Sequence, residues 1–206
     1  MIAKKQPSLT FVKETHEYRI DGVVVPSVTQ VLKASGLSNF DFVDPKLLER
    51  NSAFGDAVHA AIQFKCKGTL DEETVDEAIK PYVQSWDNFV EDFQFVPKQN
   101  EVQGFHPVYR YAYTIDLLGE INNGGKYAGI AVGDIKTGQP KPSDLIQLGG
   151  YKLAVERQRH IFILYLNPEI KPRGYKTVFA INNKKEQGIF LSALSLFNFK
   201  KENKLT

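Results

Sequence analysis

The chain has 206 residues, 42% hydrophobic and 24% charged with a formal net charge of +2, the balance of an ordinary soluble domain and not of a disordered or fibrous chain. That length suits a single domain over 1–206 with one substantial core, and no apolar run approaches the roughly 20 residues of a membrane span. Cys66 is the only cysteine, which excludes an intrachain disulfide framework, a cysteine-held zinc and an iron–sulfur cluster bound by one chain; no apolar stretch follows Lys4 and Lys5, so a cytoplasmic protein is expected.

Leu9–Lys13 and Glu17–Ile20 read as short strands, followed by a turn at Asp21-Gly22 and renewed strand character over Val23-Val24-Val25. Pro26-Ser27 leads into a short helix, with Ser27 as N-cap and Val28, Val31 and Leu32 at helical spacing. A second helix is predicted over Pro45 to about Lys65. A third runs from Thr74 to about Phe93, where Val75, Ile79, Trp86, Phe89 and Phe93 belong to one apolar stripe. Strands follow at Asn100–Phe105 and Val108–Leu118, the latter on a period of two. Asn122-Asn123-Gly124-Gly125 is a turn, and Ala128–Lys136 is the returning strand. Pro142 to about Arg157 reads as a helix, His160–Leu166 and Tyr175–Ile181 as strands, and Asn183 to about Phe199 as a closing helix. This order predicts an α/β or α+β domain, a central mixed β-sheet flanked by helices with an N-terminal helical segment.

Charge is divided unevenly. Residues 1–133 carry 13 Lys/Arg against 18 Asp/Glu, and residues 134–206 carry 13 against 6. A net of −5 followed by a net of +7 suits a surface that meets a polyanion on the side built by the C-terminal third.

Asp134-Ile135-Lys136 ends a predicted strand, and period two puts the carboxylate and the ammonium on one face. Asp116 lies on the preceding strand, across the turn at 122–126. If the two strands pair, two carboxylates converge and repel unless a hard divalent cation sits between them. A lysine beside such a cation can stabilise charge on a phosphate or help deprotonate water. The triplet alone is uninformative, because Asp44-Pro45-Lys46, Glu169-Ile170-Lys171 and Glu202-Asn203-Lys204 repeat it without this context. Gln147 and Tyr151 share a face of the following helix. His59 is a further metal-ligand candidate, and Glu101 sits near the strand before Asp116.

Taken together, Gly55-x-x-x-His59, Glu101, Thr114-Ile115-Asp116, Gly133-Asp134-Ile135-Lys136-Thr137 and Gln147-x-x-x-Tyr151 resemble the RecB-like, phage-encoded exonuclease branch of the PD-(D/E)XK nucleases. Pro26-Ser27-Val28-Thr29 is similar to the N-terminal segment of many phage members. The resemblance runs from about Tyr18 to Ala154. It implies a restriction-endonuclease-like core and magnesium-assisted hydrolysis of DNA phosphodiesters, with manganese able to substitute. It further implies that His59, Asp116, Asp134 and the carbonyl of Ile135 bind the metal. Lys136 would position or activate the attacking water, with Gln147, Tyr151 and Glu101 supporting the site. Tyr113 is a departure, since relatives often have glycine there.

DNA phosphate contacts are expected from Lys141, Lys152, Arg157, Lys184 and Lys185, with no base-reading element in view. The expected role is an exonuclease in phage-type recombination, repair or end processing, possible partners being other copies of the chain or a single-strand annealing or recombination protein. A structure-specific endonuclease or junction resolvase, and a DNA-binding module without catalysis, remain the alternatives.

Overall fold

A computed structural model describes residues 7–38, 44–155 and 159–205. Strands β1 (Leu9–Val12), β2 (Glu17–Ile20) and β3 (Val23–Val25) form a small antiparallel sheet, whose tight turn puts Asp21 and Gly22 at φ 52° and 78°. Helix α1 (Val28–Ala34) starts with a capping box between Ser27 and Gln30. Helix α2 (Pro45–Cys66) is capped by Asp44, whose carboxylate accepts the N–H groups of Lys46 and Leu47.

The third helix is shorter than its apolar stripe. Helix α3 spans Lys80–Phe93, preceded by a single 3-10 turn at Glu72–Thr74. Pro81 sets that limit: within a helix begun at Thr74 it would remove a hydrogen bond and clash with the carbonyl of Glu77, whereas in the first turn its missing N–H costs nothing.

The main sheet has the order β4–β5–β6–β7–β8, from Phe95–Phe105, Ala112–Ile121, Gly129–Lys136, His160–Leu166 and Tyr175–Phe179. Only β6 and β7 are parallel, joined through helix α4 (Pro142–Ala154). Helix α5 (Lys184–Glu202) closes the described chain. The end expected for α4 at Arg157 lies outside the described residues. Strand β5 begins four residues later than its tyrosine alternation predicts. Residues 107–110 form a turn in which the His106 ring accepts the N–H groups of Val108 and Tyr109, and Arg110 takes φ 51°. Strand β4 extends back to Phe95 past Pro97, which an edge strand tolerates beside a bulge.

Period two on β7 shows the layering. Ile161, Ile163 and Tyr165 join a core with α1, α4 and α5, while Phe162, Leu164 and Leu166 join another with α2 and α3. Helices α4 and α5 cross closely. A Cβ on Gly149 would stand 2.8 Å from the Glu186 backbone, and one on Gly150 about 3.0 Å from the Phe190 ring. Among the described residues no helix is long and apolar enough to cross a membrane.

Candidate active site

The site forms where two paired strands part. Strands β5 and β6 run antiparallel from Ile121↔Gly129 to Leu117↔Gly133, and their register ends there. Asp116 and Asp134 are the next residues on each strand. Across Asp116, β5 also changes face: Ile115 packs into the α4–α5 core and Leu117 into the α2–α3 core. Opposite it on β4, Glu101 adopts φ 53°, a left-handed value rarely tolerated by a side-chain-bearing residue in a strand. Freed from the ladder, the Ile135 N–H donates to Asp116 Oδ2 at 2.6 Å. That bond directs the Asp116 carboxylate across the gap towards β6.

Asp134 and Lys136 share a face, as period two requires, and Lys136 Nζ stands 2.7 Å from Asp134 Oδ2. Helix α4 supplies the other partners. Gln147 Nε2 donates to Asp134 Oδ1 at 3.2 Å, and the Tyr151 hydroxyl donates to the same oxygen at 3.1 Å. Gln147 Nε2 also lies 2.6 Å from the Tyr151 hydroxyl, so the two side chains brace one another. Asp134 is only 4% exposed. Burial raises its pKa against the pull of Lys136, with the Asp116 charge adding to the rise. Burial opposes charge on Lys136, but Asp134 outweighs it and keeps the ammonium protonated, supported by Asp116 and Asp144. Tyr151 is held neutral by burial and by Asp134.

His59 comes from α2, with Nδ1 3.6 Å from Asp116 Oδ1. Burial disfavours its charged form, but the bond and charge of Asp116 prevail and raise its pKa, with Asp134 adding. Glu101 faces the same gap and accepts from Gln63 Nε2 at 2.8 Å. Burial and then the Asp116 charge lift its pKa. Gly55 is not a tight contact point, because a Cβ there would meet Thr137 Oγ1 at an ordinary 3.4 Å.

Among the described residues, no group of three or more His, Cys, Asp or Glu side chains is gathered as a ready-made metal cage. The donor chemistry nonetheless fits a hard cation. Asp134 Oδ2 is buried and has no aligned hydrogen bond, its ion pair with Lys136 notwithstanding. Asp116 Oδ1 faces the same space, and carboxylate and carbonyl oxygens are what magnesium prefers. Asp116 and Asp134 are therefore the carboxylates whose chemistry fits such an ion, with His59 lying against Asp116.

The cleft has two arms that share Thr29, Asp56, His59, Lys136 and Gln147. One, of about 380 Å³, opens past Glu101 and Asp116 towards rings of the small sheet. The other, of about 500 Å³, carries the polar side chains of Lys33, Asn51, Gln139 and Lys141 over a largely apolar lining. Lys141 thus reaches the site side. Lys152, Lys184 and Lys185 are not among the residues lining either arm, and Arg157 lies outside the described residues.

One contributor was not among the candidates read from the sequence. Asp144 is buried under the second arm, and its Oδ2 accepts from the Lys141 N–H at 2.8 Å and the Tyr165 hydroxyl at 2.9 Å. It thereby fixes the start of the helix that carries Gln147 and Tyr151; its place three residues after Lys141, beside Pro142, was the available clue. The bulk of Tyr113 is absorbed across the strand pair: the ring lies over Gly104, where a Cβ would come within 2.3 Å of its hydroxyl oxygen.

No protein-family model and no curated protein matches the chain. Among solved structures it is similar to an alkaline exonuclease, LHK-Exo, from Laribacter hongkongensis, at 14% identity and TM-score 0.35 over 72% of this chain and 84% of that one. LHK-Exo in complex with dAMP gives 13% identity and TM-score 0.40, over 88% and 95% of the two chains. The structure of SSO0001 gives 14% and 0.32, over 68% and 73%. None of these reaches the similarity from which a shared family would follow.

Proposed function

We propose that the chain is a magnesium-dependent DNA nuclease acting at the cleft between β5 and β6. The observation that carries this reading is the buried Asp134 carboxylate, ion-paired with Lys136 and lying across the strand split from Asp116. Such an arrangement costs folding energy that a purely structural site would avoid. Asp116, Asp134 and the Ile135 carbonyl would hold the ion, with His59 against Asp116. A divalent cation bound there supplies Lewis-acid polarisation of a phosphate and eases ionisation of water.

The protein's own groups account for the rest. Lys136, held as an ammonium, stabilises charge on the non-bridging phosphate oxygens and orients the attacking water. Attack by water forms a new P–O bond and breaks the bond to the leaving sugar oxygen; the water gives up its proton to solvent and the leaving oxygen takes one up, so the step is balanced. Gln147 and Tyr151 hold Asp134 Oδ1, so its other oxygen stays aimed at the site. Glu101, lifted in pKa and opposite Asp116, is a proton carrier at the mouth of the cleft. Lys141 contacts the phosphate backbone.

The motif order, similar to phage-type exonucleases, favours action at strand ends. The deciding measurement is degradation of end-labelled linear duplex beside a covalently closed circle, with magnesium, for wild type and Lys136→Ala. Loss of the linear substrate alone, abolished in the variant, is the expected result. Cutting of the circle would move the reading to an endonuclease on the same site. No cutting of either substrate with magnesium or manganese would sink it.

A further inference from the structure

The arm of the cleft beyond Asp116 is walled by the small N-terminal sheet, and that wall is aromatic. Phe11 and Tyr18 stack at 4.5 Å between ring centres, and His16 meets both edge-on at 5.2 and 5.7 Å. Tyr113 lines the same arm from β5. Tyr18 is buried and serves as backing, whereas Phe11 is half-buried and His16 exposed.

This wall is fixed relative to the site. The Tyr18 hydroxyl lies 2.6 Å from Thr114 Oγ1, two residues from Asp116. His16 holds φ 50°, and Gln30 Nε2 donates to its carbonyl at 3.2 Å, which ties the hairpin tip to α1. Lys13, in the same tip, is close enough for its charge to act on Glu101. The hairpin turn accounts for the left-handed conformation of His16 and leaves its ring exposed beside the half-buried Phe11 at the open side of the cleft.

We propose that Phe11 and His16 form a base-stacking subsite that accepts one unpaired nucleobase of single-stranded DNA, while the adjoining phosphates run towards Lys136 and the arm with Lys33 and Lys141. The inference rests on the nuclease reading and adds how a strand end is held: with one base unpaired, in a single strand or frayed from the end of a duplex. The geometry suits it. The arm's volume falls within the roughly 300–1,000 Å³ of small-molecule sites. Aromatic rings recognise a base by its face, tolerant of sequence. Cations lie on the other arm, where the phosphates would sit.

The test is binding of short single strands carrying aminopurine at one end, the other end or the middle, beside the same strands with that base removed. It is run in calcium on a Lys136→Ala background, so that nothing is cut. Aminopurine fluorescence should be quenched at one end position, and Phe11→Leu should abolish the quenching and weaken binding roughly 5- to 100-fold. Phe11→Trp should retain both. His16→Asn keeps a residue at home with left-handed φ and removes only the ring, so it should weaken the base-bearing strand without unfolding the hairpin. Affinity for the abasic strand should not move in any variant. Equal losses on both strands, or unchanged quenching in Phe11→Leu, overturn the subsite and leave a structural wall. Wild-type cutting of linear DNA without any such quenching would overturn the subsite alone; quenching without cutting would overturn the nuclease reading alone.

Discussion

The packing between α3 and the sheet, and the polar cluster at the strand split, are built on opposite terms. Around Phe89, the rings of Phe93, Phe95, Phe162 and Tyr175 stand 5.1–5.7 Å away, in tilted and edge-on arrangements, and Phe89 is fully buried. Every group there is satisfied by contact. At the strand split, Asp134 is buried against Lys136, the pKa values of His59 and Lys136 are raised by neighbouring carboxylates against burial, and that of Glu101 is raised by burial and then by Asp116. The first region stabilises the fold; the second draws on that stability to hold charges where water is scarce.

If that division is right, variants in each region should leave the other property intact. Phe89→Ala has the largest expected effect: a loss of about 3–5 kcal/mol in urea unfolding, with cutting per folded molecule unchanged. Loss of cutting while the chain remains folded would merge the two regions. Lys136→Ala should lower kcat by roughly 10²–10³-fold in single-turnover assays, with little change in KM and a native far-ultraviolet spectrum.

Gly104→Ala lies at the border between them. Its Cβ would overlap the Tyr113 ring, so a cost of about 1–3 kcal/mol is expected, relieved in the double variant with Tyr113→Ala. No relief would mean that the pair does not interlock. Tyr151→Phe removes a donor to Asp134 Oδ1 and should cost about 1 kcal/mol in thermal unfolding, with a modest fall in kcat. The smallest effect is a pH slope. His59 has a raised folded pKa, so without divalent ions its protonated form contributes stability that is complete below its ordinary value of 6.5. That contribution fades as pH rises through the elevated folded value, and His59→Gln should flatten the slope in a titration of melting temperature.

The two regions also differ in how far they could be read from residue order. Asp134 and Lys136 share a face because strands repeat every two residues, and Gln147 and Tyr151 because helices bring i and i+4 together; both reach the site as expected. Asp116 follows from the turn that pairs its strand with β6. The errors fell where a local constraint overrides periodicity. Pro81 cuts the start of α3 despite an unbroken apolar stripe, and the His106 ring folds the tyrosine run before β5 into a turn. The contributions of Phe11, His16 and Asp144 arise from contacts between distant segments. The link from Tyr18 to Thr114 spans 96 positions, and no spacing rule encodes it.

The close crossing at Gly149 and Gly150 has a consequence for synthesis. Gln147 and Tyr151 point at Asp134 only while α4 is pressed into place, and what presses it there is the backbone at Glu186 and the ring of Phe190. A ribosome releases every residue named at the split, from His59 to Tyr151, before it releases α5. The growing chain therefore holds its acids and its lysine without the brace that aligns them. The aligned arrangement at the split is complete only once the last described helix has folded.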